Sequence, residues 1–118
     1  MTILSKKYFV YEVNLTIEKK LFDKNKDWLI DHFHQMVISN NFIKLDLFYQ
    51  KNVDPINDEH MRYQRIVAQY LVDDYDVLHN YFDKQAKVMR SQVVEKLGYG
   101  YSVNRRVFEK IETFENEG

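Results

Sequence analysis

Six polar residues stand where their types and spacing could act together: Glu12, Asn14, Arg65, Gln69, Asn104 and Arg106. Each lies in a stretch that alternates apolar and polar residues, so partners two or four positions apart share one side of an extended strand. One carboxylate, two guanidiniums and three amides on a common sheet face can orient a small ligand in a cavity. The same groups can instead make an ion-paired, hydrogen-bonded interface between two protein surfaces, where a buried Glu–Arg pair is tolerated only if fully satisfied. Either use supplies orienting groups and no nucleophile.

Other chemistries find less support. His32 and His34 flank Phe33, and positions two apart on a helix point about 200° apart, so the two imidazoles cannot share a metal. Asp31 and His34 are spaced to meet as a surface pair, while His60 and His79 have no ligand partner at a recognisable spacing. The chain has no cysteine, and Ser5, Ser39, Ser91 and Ser102 lack the glycine-flanked elbow of a nucleophilic serine. Its three glycines, Gly98, Gly100 and Gly118, build no phosphate-cradling loop. No catalytic residue, metal or cofactor is therefore expected. With 17 basic against 18 acidic residues the net charge is −1, which gives no electrostatic reason to expect nucleic acid or an anionic membrane as partner. No window approaches about 18 apolar residues and Met1 to Lys7 hold no secretory core. The expectation is a soluble, cytoplasmic protein.

These groups must be positioned by elements that the periodicity makes visible. From Tyr8 to Ile17, Phe9, Tyr11, Val13, Leu15 and Ile17 form an apolar face, and Tyr8, Val10, Glu12, Asn14 and Thr16 a mixed one. The polar run Lys19 to Asn25 breaks that alternation. Helical spacing follows to Asn40 through Leu29, Phe33, Met36 and Val37, with Asn25 or Asp23 as cap and Asn40-Asn41 as stop. A second strand is predicted over Phe42 to Gln50, a loop over Lys51 to Glu59 around Pro55, and a third strand from about His60 to Val72. Asp73, Asp74 and Asp76 open a second helix, whose stripe is Leu78, Phe82, Ala86, Met89, Val93 and Leu97, closed by Gly98. A last strand runs from about Tyr99 to Phe108, placing Arg105 and Arg106 on opposite faces, and the acidic residues 109–118 are expected to fray.

The order strand, helix, strand, strand, helix, strand in one domain of 118 residues predicts an α+β, ferredoxin-like βαββαβ fold. Its four-stranded antiparallel sheet would carry both helices on one face. The other face would display Tyr8, Val10, Val67, Leu71 and Phe108 among the six polar residues, too much apolar surface to leave in water. A homodimer through that face, with Glu12, Asn14, Arg65, Gln69, Leu71, Asn104 and Arg106 in the interface or a cavity, is the expected assembly.

Several motifs carry a family resemblance: the strand Ile66-Val67-Ala68-Gln69-Tyr70, the acidic opening Asp73 to Asp76, the helix end Glu95-Lys96-Leu97-Gly98, and Asn104-Arg105-Arg106-Val107-Phe108. With them the chain resembles an uncharacterised bacterial family of small ferredoxin-like proteins, dimeric α/β barrels. It departs from that family where Lys84-Gln85-Ala86 replaces a frequent His-Ala-Pro, so an activity tied to that histidine is not implied here. Relatives of the fold include heme-degrading and antibiotic-biosynthesis monooxygenases, whose pocket lies between sheet and helices. In size, composition and acidic tail the chain is also similar to small inhibitors that pathogens deploy with ubiquitin-modifying deamidase or transglutaminase effectors, and the glutamate-rich tail resembles signals of type IV secretion into a host cell. The expectation drawn from these resemblances is a non-enzymatic regulator that binds a partner enzyme through exposed aromatic anchors, Trp28, Tyr75 and Tyr81. The alternative is a small-molecule binder or monooxygenase-like enzyme using a cavity of the dimeric barrel.

Overall fold

The computed structural model describes residues 7–51, 62–116 and 118. The elements are β1 (Phe9–Glu18), α1 (Lys19–Asn40), β2 (Lys44–Tyr49), β3 (Tyr63–Val72), α2 (Tyr75–Lys84), α3 (Ala86–Leu97) and β4 (Tyr101–Glu109). The strands form one antiparallel sheet in the order β2-β3-β1-β4. Helices cover one face, the ferredoxin-like arrangement that the order of elements predicts. His60 and the loop around Pro55 lie outside the described residues.

The core forms where the alternation places it. Tyr11, Val13, Leu15 and Ile17 of β1 and Ile66, Ala68, Tyr70 and Val72 of β3 are buried under the helices. They meet Phe22, Leu29, Phe33 and Met36 of α1, Leu78 and Tyr81 of α2, and Met89 and Leu97 of α3. Burial of this apolar surface is the main stabilising term, about 25 cal/mol per Å² removed from water.

Three local expectations are corrected. The first helix begins at Lys19, directly from β1, rather than near Asn25. The residue in its N-cap position, Glu18, makes no side-chain cap, and Asn25 is buried inside the helix, donating from Nδ2 to the Leu21 carbonyl at 3.0 Å. The charged run is the solvated side of a helical turn whose inner side is held by Phe22. Its end is as expected, with Asn41 in the left-handed region at φ 57°.

The second helix is two helices, parted at Gln85 (φ −113°), within the stretch Lys84-Gln85-Ala86. Asp74 caps the first of them, its Oδ1 accepting from the Asp76 amide at 2.8 Å.

Tyr81, expected as an exposed anchor, is buried at 2% exposure, and Phe82, expected in the stripe, lies at its edge. A residue three positions from Leu78 shares its face as readily as one four positions away. Here the Tyr81 ring packs on Tyr11 and Phe42, each with centroids 5.6 Å apart. Trp28 is half-buried, stacked on His32 at 5.0 Å. Only Tyr75 of the three is exposed, against Phe9 and His79.

Candidate functional site

The sheet carries candidate groups on both faces, and β1 contributes to each. On the uncovered face the register sets residues side by side in rows across the strands. One row is Asp46, Gln69, Glu12 and Arg106; the next is Phe48, Val67, Asn14 and Asn104. Arg65 stands opposite Thr16, and Leu71 lies between Val10 and Lys44. The structure thus places all seven residues expected on this face together.

Glu12 is the centre of that face. It is only 4% exposed, although no helix covers it. Asn14 Nδ2 donates to its Oε1 at 2.8 Å, Gln69 Nε2 to its Oε2 at 3.2 Å, and Arg106 Nε to Oε1 at 3.2 Å with an Nη alongside. Burial alone would raise the carboxyl's pKa, but the hydrogen bonds from Arg106, Asn14 and Gln69 outweigh it and hold the group below its ordinary value. Arg106 also lies over the Phe108 ring at 5.1 Å. Both carboxylate oxygens of Glu12 already accept from neighbouring side chains, so this cluster binds itself.

The covered face has the opposite character. Between the sheet and the helices lies a pocket of about 270 Å³, the room of about nine liquid waters and close to the lower end of ligand pockets, about 300 Å³. It exists because the helices do not seal the edge strand: on the helix side of β4, Tyr101 and Val103 are half-buried and Arg105 and Val107 exposed. Its walls are largely apolar, among them Val13, Leu29, Phe33, Met89, Val93 and Val103.

Five polar side chains from five elements face this apolar space: Tyr11 of β1, His32 of α1, Tyr81 of α2, Arg90 of α3 and Arg105 of β4. The Tyr11 hydroxyl decides the reading of the site. Tyr11 is 1% exposed, and no hydrogen bond of proper geometry satisfies its oxygen. Tyr70, equally buried, shows the normal outcome, with its hydroxyl donating to the Phe33 carbonyl at 3.2 Å. An unpaired buried hydroxyl costs about 1–3 kcal/mol, and such exceptions are rare enough to call for a cause.

Electrostatics around that oxygen are distinctive. Burial first, and the neighbouring Tyr11 second, push the Tyr81 phenol well above its ordinary pKa; Arg90 and Arg105 act on it in the opposite sense without reversing the shift. Tyr81 is therefore a neutral donor at physiological pH, with two guanidiniums close by. His32 is held below the usual imidazole pKa by burial, against a smaller opposing effect of Asp31. It is a neutral group able to accept a proton or a hydrogen bond.

Sequence reasoning placed none of these five in a common site, though it put Arg105 on the side of the strand opposite Arg106. A signal was present: a tyrosine on an otherwise aliphatic strand face brings a hydroxyl that needs a partner. What the chain could not show is the gap between α3 and β4.

Residues 8–111 match the family described as Domain of unknown function (DUF4286). The chain belongs to that family. No curated protein matches it. Among solved structures it is similar to a hydroxynitrile lyase from Passiflora edulis, at 12% identity over 94% of this chain and all of that one, with a TM-score of 0.63. A mutant of SnoaB, a cofactor-independent oxygenase from Streptomyces nogalater, matches at 11% identity over 95% of this chain and all of that one, TM-score 0.61. A dimeric ferredoxin-like protein from an uncultured marine organism matches at 10% identity over 93% and 100%, TM-score 0.57. Identities this low establish the shared fold and nothing of the reaction.

Among the described residues no group of three His, Cys, Asp or Glu side chains could hold a metal ion. No described helix is long and apolar enough to cross a membrane.

Proposed function

We propose that this protein binds a small, mostly apolar molecule in the pocket between its sheet and its helices. The observation that carries this reading is the apolar-walled pocket itself, lined by five polar side chains from five elements, with the Tyr11 hydroxyl buried beside Tyr81 without a hydrogen bond of proper geometry. A ligand oxygen or nitrogen there would satisfy it, while the aliphatic and aromatic walls would hold the ligand body. That the fold also serves an oxygenase and a lyase supports a use in small-molecule chemistry. His32, neutral and on the pocket wall, is the side chain best suited to move a proton if the bound molecule reacts.

The reading as a regulator that covers a partner enzyme draws less support. Of its three aromatic anchors, Tyr81 is in the core and Trp28 is half-buried on His32, leaving Tyr75.

The same proposal includes a homodimer through the uncovered sheet face. Phe48 and Phe108 are exposed there beside half-buried Val10, Val67 and Leu71. Glu12 and Arg106 already satisfy one another, so a second sheet could pack over them without orphaning a charge. The fold's occurrence in a dimeric protein is in keeping with this assembly.

The test is Tyr11→Phe, which keeps the ring and removes the oxygen. Without ligand the variant should melt at the same temperature or higher, by up to about 1 kcal/mol in stability, since it loses an unsatisfied group. Against fragments that bind the unaltered protein, found by protein-observed NMR, it should lose about tenfold in affinity. A variant that is clearly destabilised yet binds those fragments unchanged would mean that the hydroxyl has a structural partner and no ligand role.

A further inference from the structure

The polar groups around the pocket are unbalanced in sign. Arg90 and Arg105 both line it, and no aspartate or glutamate does. Among the described residues neither guanidinium has a carboxylate within ion-pair distance. Two unpaired cations from different elements, α3 and β4, flank one opening, and behind them the Tyr11 hydroxyl is buried without a partner. Both guanidiniums are exposed and solvated, but no carboxylate of the pocket wall neutralises them, so an anion entering the opening would be attracted by both.

We propose that the ligand is a small organic acid. Its carboxylate sits where Arg90 and Arg105 approach the tyrosine hydroxyls, and its apolar body lies along Leu29, Phe33, Met89 and Val93. This rests on the pocket's being a ligand site at all. The choice of a carboxylate follows from three features together. The planar fork of arginine matches two carboxylate oxygens. Neutral phenols donate to an anion and cannot repel it, as Tyr81 is kept neutral by burial. The remaining wall is too apolar to solvate a free inorganic anion, which would leave the body of the cavity unfilled.

The experiment compares matched pairs of probes that differ only in charge: 3-phenylpropanoate against its primary amide, and octanoate against octanamide. Each is titrated into the full chain at pH 7 and followed by amide chemical shifts. The acids should shift the pocket residues saturably and bind about tenfold or more tightly than their amides. In the double variant Arg90→Gln, Arg105→Gln, the acids should fall to the affinity of the amides, whose own binding should not change. Both arginines are exposed, so the variant keeps the core intact. Equal binding of acid and amide, or acid binding that survives in the double variant, overturns the assignment of an organic acid while leaving the pocket as a site. No saturable shift at the pocket from any of the four probes overturns both readings.

Discussion

Two adjacent residues of β1, Tyr11 and Glu12, bury polar atoms on opposite faces of the sheet and meet opposite fates. Glu12 receives donors from Asn14, Gln69 and Arg106, whereas the Tyr11 oxygen receives none. The saturated group is a structural device, and the unsatisfied one is the wall residue on which the proposed ligand site is tested. Glu12 makes a pH prediction whose sign follows from its lowered pKa. A carboxyl with a folded-state pKa below its ordinary value of 4.5 contributes stability that is fully present above 4.5 and is lost as pH falls through the lower value. The melting temperature should therefore drop more steeply below pH 4.5 in the unaltered protein than in Glu12→Gln. At neutral pH that variant should be less stable by about 1.5 kcal/mol, because a charged acceptor of several hydrogen bonds is lost. Curves of equal slope below pH 4.5 would show that the cluster adds no charge-dependent stability.

At the scale of elements, the pocket is opened by how α3 leaves the sheet and how β4 returns to it. The return is tight. Gly100 has φ +90°, its carbonyl accepts from the Glu18 amide at 2.8 Å, and a Cβ placed on it would lie 3.0 Å from the Glu18 carboxyl carbon. Gly100→Ala should cost about 1–2 kcal/mol through backbone strain alone, read as a lower melting temperature, with Gly118→Ala as a neutral control. The fold and the inward faces of β1 and β3 were legible because alternation of apolar residues is strict in Tyr11 to Ile17 and in Ile66 to Val72. The start of α1 was not, since a charged helical turn and a polar loop share one composition and differ only in the buried Phe22. Tyr81 was misread for a related reason, as three- and four-residue spacings both keep a helical face. The pocket itself was illegible because it is a gap between elements, and periodicity reports only which residues face inward.

At the scale of the whole molecule, the proposal gives one sheet two purposes, with a ligand pocket on its helix side and an assembly surface on the other. The second purpose is tested by Leu71→Asp, which puts a charge among Val10, Lys44 and Phe108 on the uncovered face. Burying a further carboxylate in a dimer interface costs several kcal/mol, as the neighbouring Lys44 already bridges Asp46. Light scattering should find twice the chain mass for the unaltered protein and monomer or aggregate for the variant; an unchanged dimer would place the interface elsewhere. The first purpose is the central one, and a crystal structure of the protein with a bound fragment tests it most directly. The expected result is density for the fragment between β1, β4 and the helices, with one polar atom within hydrogen-bond distance of the Tyr11 hydroxyl. A structure in which α3 has closed onto β4 and the fragment is bound outside would contradict it.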